Sequence, residues 1–466
     1  MDIKFGTSGW RGIISDDFTF DNVRLVAQAI ADYVNALNGR KKEVIVGYDT
    51  RFLSKEFARA CSSVLLGSGI MPLLTDRDTP TPVISFHILD KKASGAINIT
   101  ASHNPSAYNG IKFSPSSGSP AGKEITSFLE KRIETLRKKK WHFKDEGLKG
   151  VYEEFDPQPR YLAHLKKLLN ADLIRKSKAR VGIDFLYGTS RGYLDVILKS
   201  LGVKLCKLHE GINPSFGGIA PTPAGKQLAE LSRLVKSEKL DIGLATDPDG
   251  DRFGIIDRDG TFITANEVIC VVLEYLITTR KKYATVARTL ATTSMVDKIA
   301  TAHNMRTVET PVGFKYIAEE LISGDCLMGA EESGGLSIAG HVPEKDGILA
   351  CLLVLEACLM KKKSVKGILK DITKTYGTIY SDRMDVSVGS REKLLSRLKT
   401  FSPTHMAGLK VAGVHTLDGF KFNFTDSSWL LIRPSGTEPM VRLYAESSCK
   451  KALTLLLNEA KRVINF

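Results

Sequence analysis

Ser102 sits in the polar turn Thr100-Ala101-Ser102-His103-Asn104-Pro105, just after the small and apolar run Ser94-Gly95-Ala96-Ile97-Asn98-Ile99. A strand ending in such a turn puts the hydroxyl at the carboxyl end of a sheet, where open α/β sheets bind ligands. His103 and Asn104 flank it with hydrogen-bonding groups, and Lys112 follows on the apolar segment Ile111-Lys112-Phe113. The pattern suits a serine that carries a phosphoryl group covalently; read alone, it also suits a plain turn.

A second stretch, Asp247-Pro248-Asp249-Gly250-Asp251-Arg252, sets three carboxylates at alternate positions in a turn held by proline and glycine. Such a turn can converge on a hard divalent cation, and carboxylates without His or Cys favour Mg²⁺ over Zn²⁺. It is not an EF-hand, because Arg252 stands where that loop needs glycine and Arg258 where it needs glutamate.

In Glu331-Glu332-Ser333-Gly334-Gly335, acceptor-only carboxylates beside a hydroxyl suit sugar hydroxyls, and equally a solvated acidic turn. Upstream, Gly313-Phe314-Lys315 offers a lysine for acid/base work or phosphate contact. Arg433-Pro434-Ser435-Gly436-Thr437-Glu438-Pro439, with Arg442 beyond it, clusters donors fit for a phosphate dianion. Near the N-terminus, Gly6-Thr7-Ser8-Gly9-Trp10-Arg11-Gly12 reads as a flexible polar loop whose arginine could clamp an anion. There is no Walker A motif and no GxGxxG after a strand.

The elements that must position these loops recur. Strand Glu43 to Asp49 leads through a turn and a helix to strand Ile70 to Leu74, then the turn Thr79-Pro80-Thr81-Pro82, a helix, and the strand before Ser102. The same order runs from Ala179 to Asp184, through Val203 to Leu208 and the turn Pro221-Thr222-Pro223, to Asp241 to Ala245 before the aspartate loop. It runs again from Thr285 to Arg288, through Arg306 to Val308 and the turn Thr310-Pro311-Val312-Gly313, to Cys326 to Gly329 before Glu331. Strands alternating with helices predict α/β layers, and three passes sharing a TP turn predict three related domains. Arg383 to Val388, Phe420 to Phe424, Trp429 to Ile432 and Val441 to Ala445 read as strands with few helices, a small α+β domain. The expected divisions are 1–145, 146–256, 257–367 and 368–466.

The 466 residues are 43% hydrophobic and 25% charged, ordinary for a globular chain. No apolar run is long enough to span a bilayer, and no signal-peptide core follows Met1. The seven cysteines are scattered without a CxxC pair, and Cys351 and Cys358 share one face of a helix. Free thiols in a cytoplasmic protein are expected. The net charge of +14 suits a small anionic substrate; without an aromatic-rich basic stripe it does not point to nucleic acid.

Taken together, GTSGWRG, TASHNP with NGIKF, DPDGDR, EESGG and RPSGTEP, in this order along nearly the whole chain, resemble the α-D-phosphohexomutase superfamily, the phosphoglucomutase/phosphomannomutase group. The resemblance implies three similar α/β domains with mixed, largely parallel sheets and a C-terminal α+β domain around a central cleft. It implies Ser102 as the phosphorylated residue and Mg²⁺ held by Asp247, Asp249, Asp251 and a phosphoserine oxygen. It places Arg11, Lys112, Arg252 and His103 about the transferring phosphate. Glu331, Glu332 and Ser333 would meet sugar hydroxyls, and Arg433, Ser435, Gly436, Thr437 and Arg442 the second phosphate. The reaction implied interconverts hexose 1-phosphate and 6-phosphate through a 1,6-bisphosphate, glucose 1,6-bisphosphate for glucose. The partners implied are sugar phosphates, with no nucleic acid or membrane, for a monomer or homodimer.

One departure stands out. Mannose/glucose and glucosamine mutases of the group tend to end the sugar loop in Ser-Gly-His, whereas Gly335 stands here. That leaves Lys315 as the acid/base candidate and resembles glucose-preferring relatives. Phosphomannomutase, pentose-phosphate mutase, sugar-bisphosphate synthase and metal-dependent phosphohydrolase remain as alternatives, with a non-catalytic binder last.

Overall fold

The computed structural model describes residues 3–6, 9–37, 41–143, 152–280, 282–434 and 440–465. Three sheets repeat one plan. In the first, strands Glu43–Tyr48, Met71–Thr75 and Gly95–Ile99 run parallel, and Tyr108–Pro115 returns antiparallel beside the third. In the second, Arg180–Asp184, Lys204–Leu208 and Ile242–Thr246 are parallel and Phe253–Asp257 returns. In the third, Thr285–Thr289, Arg306–Thr310 and Cys326–Glu331 are parallel and Gly335–Ile338 returns. Each Ser, Asp or Glu loop is therefore the connection between the third parallel strand and its antiparallel partner.

The central strands are apolar because helices cover both faces. Val44 and Val46 face the helices Phe20–Asn35, Ser54–Gly67 and Lys123–Lys138, while Ile45 between them faces Thr81–Lys91. Alternation along a strand sends neighbouring side chains to opposite faces, so one short run serves two helical layers.

The fourth sheet is antiparallel throughout, in the order Tyr380–Ser387, Met440–Ser447, Trp429–Pro434, Phe420–Phe424, Leu409–His415, His405–Met406. Helices Arg391–Thr400 and Lys450–Asn465 accompany it, and its core is separate from the others. The three α/β domains and the α+β domain are thus as expected. The sheets themselves reach a little past the expected divisions. Glu153–Phe155 joins the first sheet, Phe262–Ile263 the second, and the helix Val365–Tyr376 packs on the third domain's core.

The N-terminal loop departs from expectation. Trp10–Ile13 is a strand paired with Tyr108–Pro115. Trp10 is buried and stacks on Phe18 at 4.9 Å, and this burial turns the polar-looking stretch into sheet. Gly9, at φ 96°, lies so near this strand that a Cβ would meet Ile111 O at 2.3 Å.

Candidate active site

The loops of the three repeats converge. Ser102 Oγ donates to Asp247 Oδ2 at 2.8 Å, and both residues are buried. The aspartate loop is held by its neighbours on both sides: Thr81 N donates to Asp249 O at 2.8 Å, Phe253 N to Gly334 O at 3.1 Å and Gly347 N to Gly250 O at 3.0 Å.

Ser102 has φ 51°, a left-handed conformation that costs a non-glycine residue about 1–2 kcal/mol. Arg51, buried at 3% exposure, holds the turn in that shape. Its Nη2 donates to Ser102 O and Asn104 O, both at 2.6 Å, and its Nη1 to Pro105 O at 2.8 Å and Tyr108 O at 2.9 Å. Its Nε faces Asp49 Oδ2 at 3.2 Å. The Ser102 amide is further anchored on Thr100 Oγ1 at 2.9 Å. His103 Nδ1 lies 3.3 Å from Ser102 Oγ. Arg252, then burial and Arg11, hold the imidazole well below its ordinary pKa, so it is neutral. Arg11 joins the loop through Asn104 Oδ1 at 2.6 Å.

Oxygens of Asp247, Asp249 and Asp251 lie within 4.8 Å of one another, and all three side chains are buried. Burial, then Asp249 and Asp251, push the Asp247 carboxyl well above the usual range. Lys112 Nζ reaches Asp249 Oδ2 at 2.5 Å and Asp251 Oδ2 at 3.0 Å, and Thr81 Oγ1 donates to Asp249 Oδ2 at 2.7 Å. Burial works to raise Asp251, but Lys112, Lys345 and Arg252 outweigh it and hold that carboxyl well below its ordinary value. Asp249 Oδ1 and Asp251 Oδ1 remain buried without a hydrogen-bond partner. Buried acceptors left so are costly, and an oxygen-only set of this kind fits a hard divalent cation.

In the third loop, Ser333 Oγ donates to Glu331 Oε1 at 2.7 Å. Glu332 turns instead toward the first strand of its own sheet, accepting from Thr289 Oγ1 at 3.0 Å. Burial, then Glu331, raise its carboxyl pKa.

Lys315 stands at the start of helix Phe314–Ile322, with its ammonium 4.9 Å from the Tyr316 ring. The lysine that bridges the metal and sugar loops is Lys345, with Nζ 3.3 Å from Asp251 Oδ2 and 3.8 Å from Glu331 Oε1. Its stem crosses Gly335 so closely that a Cβ there would meet Lys345 Cδ at 2.2 Å. Beside it, burial pushes the Glu344 carboxyl up to about 7 against the pull of Lys345 and Lys112. Sequence reasoning missed Lys345, Arg51 and Thr81. The one sequence signal was indirect: Gly335 leaves room for something else.

In the fourth domain Arg433 and Arg442 are register partners on adjacent antiparallel strands. Like charges directly opposite repel, and an anion between them offsets that cost. Arg433 Nε also meets Asp418 Oδ2 at 2.9 Å. Ser435, Gly436 and Thr437 lie outside the described residues, as do Thr7 and Ser8.

Three repeats that each bring one polar loop to a common centre, with a fourth domain adding an arginine pair, form the architecture of the α-D-phosphohexomutases. Family models of phosphoglucomutase/phosphomannomutase match in succession: alpha/beta/alpha domain I over residues 2–140, domain II over 159–260, domain III over 264–376 and the C-terminal domain over 392–462. A phosphoglucomutase of Komagataeibacter xylinus is 32% identical over 99% of this chain and 91% of its own. A phosphoglucomutase/phosphomannomutase of Thermococcus kodakarensis is 28% identical over 96% and 95%. A crystal structure from Thermus thermophilus, assigned to a phosphomannomutase, is 31% identical with TM-score 0.87 over the whole of both chains. The chain belongs to the phosphoglucomutase/phosphomannomutase family and is a phosphohexomutase, an isomerase acting on sugar phosphates. Among the described residues no helix is long and apolar enough to cross a membrane.

Proposed function

We propose that this phosphohexomutase interconverts glucose 1-phosphate and glucose 6-phosphate through a phosphorylated Ser102 and a glucose 1,6-bisphosphate intermediate. The observation that carries this reading is the 2.8 Å hydrogen bond from Ser102 Oγ to Asp247, which sets the hydroxyl inside the carboxylate cluster of the next domain. Asp247, Asp249, Asp251 and a phosphoserine oxygen would hold Mg²⁺. When bound, it supplies charge neutralisation for the transferring phosphoryl group.

The chain's own groups do the rest. Arg11, Lys112 and Arg252 ring Ser102 with positive charge where the phosphoryl oxygens must lie. His103 stands beside Oγ as an uncharged hydrogen-bonding partner. Glu331 and Ser333 orient the sugar hydroxyls. Lys345, between Glu331 and Asp251, replaces Lys315 as the lysine beside the reacting hydroxyl; burial works to lower its pKa, but Asp251, Glu331 and Glu344 raise it, so it stands there as a cationic proton donor. In the forward half, the sugar hydroxyl attacks phosphorus, its proton leaves to a neighbouring base, and Ser102 Oγ departs and is protonated. After the bisphosphate turns over, the steps run in reverse: Ser102 Oγ loses its proton and attacks the other phosphorus, and the sugar oxygen departs and is protonated. Arg433 and Arg442, with Ser435, Gly436 and Thr437, grip whichever phosphate is not reacting. Gly335 in place of histidine, and the phosphoglucomutase of Komagataeibacter xylinus among the relatives, support glucose over mannose.

Intact mass tests this directly. Glucose 1,6-bisphosphate is expected to add one phosphoryl group to the wild type and none to Ser102→Ala, with glucose 1-phosphate turned over faster than mannose 1-phosphate or a pentose phosphate. Equal phosphorylation of Ser102→Ala, or release of inorganic phosphate in place of isomerised sugar, would overturn the reading.

A further inference from the structure

Lys345 rides on a short connection between strand Gly335–Ile338 and helix Gly347–Lys361. A lysine stem is flexible, so something must fix where it starts. The next residue, Asp346, is fully buried and anchored at three points. Its amide donates to Leu336 O at 3.0 Å, and its Oδ1 caps the following helix by accepting from Leu349 N at 2.9 Å. Its Oδ2 accepts from Tyr161 OH and lies 2.7 Å from His341 Nε2. His341 Nδ1 in turn lies 3.0 Å from His164 Nε2, with the two rings stacked at 5.2 Å. A carboxylate accepting at Nε2 fixes the hydrogen there, so Nδ1 is the acceptor for His164.

Tyr161 and His164 come from the second domain, three residues apart on the helix Gln158–Leu168 and hence on one face of it. The chain therefore crosses the seam between the second domain, which holds the aspartate loop, and the third, which presents Lys345. A buried polar chain is a poor way to gain stability, since apolar side chains of the same volume do as well or better. It does define one geometry.

We propose that Tyr161, His164 and His341 are positioning residues, whose hydrogen-bonded chain through Asp346 fixes the Lys345 ammonium between Asp251 and Glu331. Among the described residues no hydrogen bond or ring contact joins any of the three to the aspartate loop. The inference rests on the reading that Lys345 serves the reaction.

Tyr161→Phe removes one hydroxyl from this chain and nothing else. Its kcat on glucose 1-phosphate is expected to fall roughly 10- to 100-fold, the range for lost positioning groups, with KM changed less than about twofold. His341→Ala is expected to behave alike, and His341→Gln, which can restore a donor to Asp346, to recover part of the loss. In a Lys345→Met background, Tyr161→Phe is expected to add no further loss, because both changes act on one group.

Wild-type kcat in Tyr161→Phe and His341→Ala, with only the melting temperature lowered, would overturn the proposal and leave a structural role. Full additivity with Lys345→Met would overturn it too. Wild-type kcat in Lys345→Met would instead remove the reading beneath it. Should Tyr161→Phe fail to fold, His164→Asn at the half-buried end of the chain gives the same comparison.

Discussion

At the scale of single residues, the site is a problem of crowded charge solved by lysines and arginines from other segments. Ser102 adopts its left-handed turn because Arg51 gathers four carbonyls of residues 102–108 around one guanidinium. A lysine has the charge but not the fork, so Arg51→Lys should free the turn. The expected result is a kcat lower by about 10²-fold, the cost of misplacing a reacting atom by about 1 Å, in a chain that still folds. Turnover and the phosphorylated fraction by intact mass would check it. The aspartates make a second case. With Asp249 Oδ1 and Asp251 Oδ1 buried and unpartnered, chelation of divalent ions should abolish turnover, and added Mg²⁺ should restore it, without loss of secondary structure by circular dichroism. Turnover that survives exhaustive chelation would remove the metal from the reaction. That Ser102 and the three aspartates lie in polar turns at strand ends was legible in the sequence, because each pattern is local to its own turn. Arg51, Thr81 and Lys345 were not. Each acts across a tertiary contact between segments far apart in the chain, and no local pattern marks such a contact.

At the scale of elements, the repeated unit is three parallel strands closed by an antiparallel return, and the return is what aims each loop. The parallel strands were readable from their apolar runs and the turns between them. The returns were not recognised as strands, because Tyr108–Pro115, Phe253–Asp257 and Gly335–Ile338 each carry a glycine within their first three residues, which reads locally as turn. Trp10–Ile13 was hidden for a related reason: its pairing partner is about a hundred residues away. Two glycines at the third loop show how space is divided there. A Cβ at Gly335 would meet the flexible stem of Lys345 at 2.2 Å, whereas one at Gly347 would meet the backbone carbonyl of Arg252 at 2.2 Å. A side chain can swing away and a backbone cannot. Gly347→Ala is therefore expected to cost stability, about 1–3 kcal/mol as for overpacking elsewhere, seen as a lower melting temperature. Gly335→Ala is expected to leave the melting temperature nearly unchanged and to lower kcat by displacing the Lys345 ammonium. The opposite pattern would mean that Lys345 is not held where the geometry puts it.

At the scale of the whole molecule, one core shared by two domains and the joints to the others set how the domains behave. A single buried cluster runs from Ile183 and Leu244 of the second domain to Val268 and Leu352 of the third, so these two are expected to unfold together. At their seam, burial and then His341 push His164 down to about 4 from its ordinary 6.5, with Asp346 and Asp90 acting the other way and Lys167 with His341. The native chain then binds fewer protons than the unfolded one between these values. This contribution to stability is fully present above about 6.5 and is lost as pH falls toward 4, which thermal melts across that window would show. The fourth domain stands apart. Its core is its own, and it meets the third through a small apolar patch of Leu290, Ala291 and Val312 against Trp429, Leu431 and Tyr444. Polar ties flank the patch: Lys421 to Glu309 at 2.6 Å, Val312 N to Asp418 at 3.1 Å, and Glu446 accepting from Ser294 N at 2.9 Å and Trp429 Nε1 at 3.0 Å. Close by, a cavity of about 290 Å³ opens between Cys270, Met295 and Ile372 on one side and Tyr380 and Leu453 on the other. A joint with this little apolar contact should yield before either core does. Trp429→Ala removes its largest side chain at a cost of roughly 3–5 kcal/mol. Calorimetry is expected to separate an early transition of the fourth domain from the later, unshifted unfolding of the others. On the proposed role of Arg433 and Arg442 in gripping the second phosphate, a loosened fourth domain should raise KM for glucose 1-phosphate while Ser102 can still be phosphorylated. One cooperative transition shifted as a whole would show instead that the four domains stand or fall as a unit.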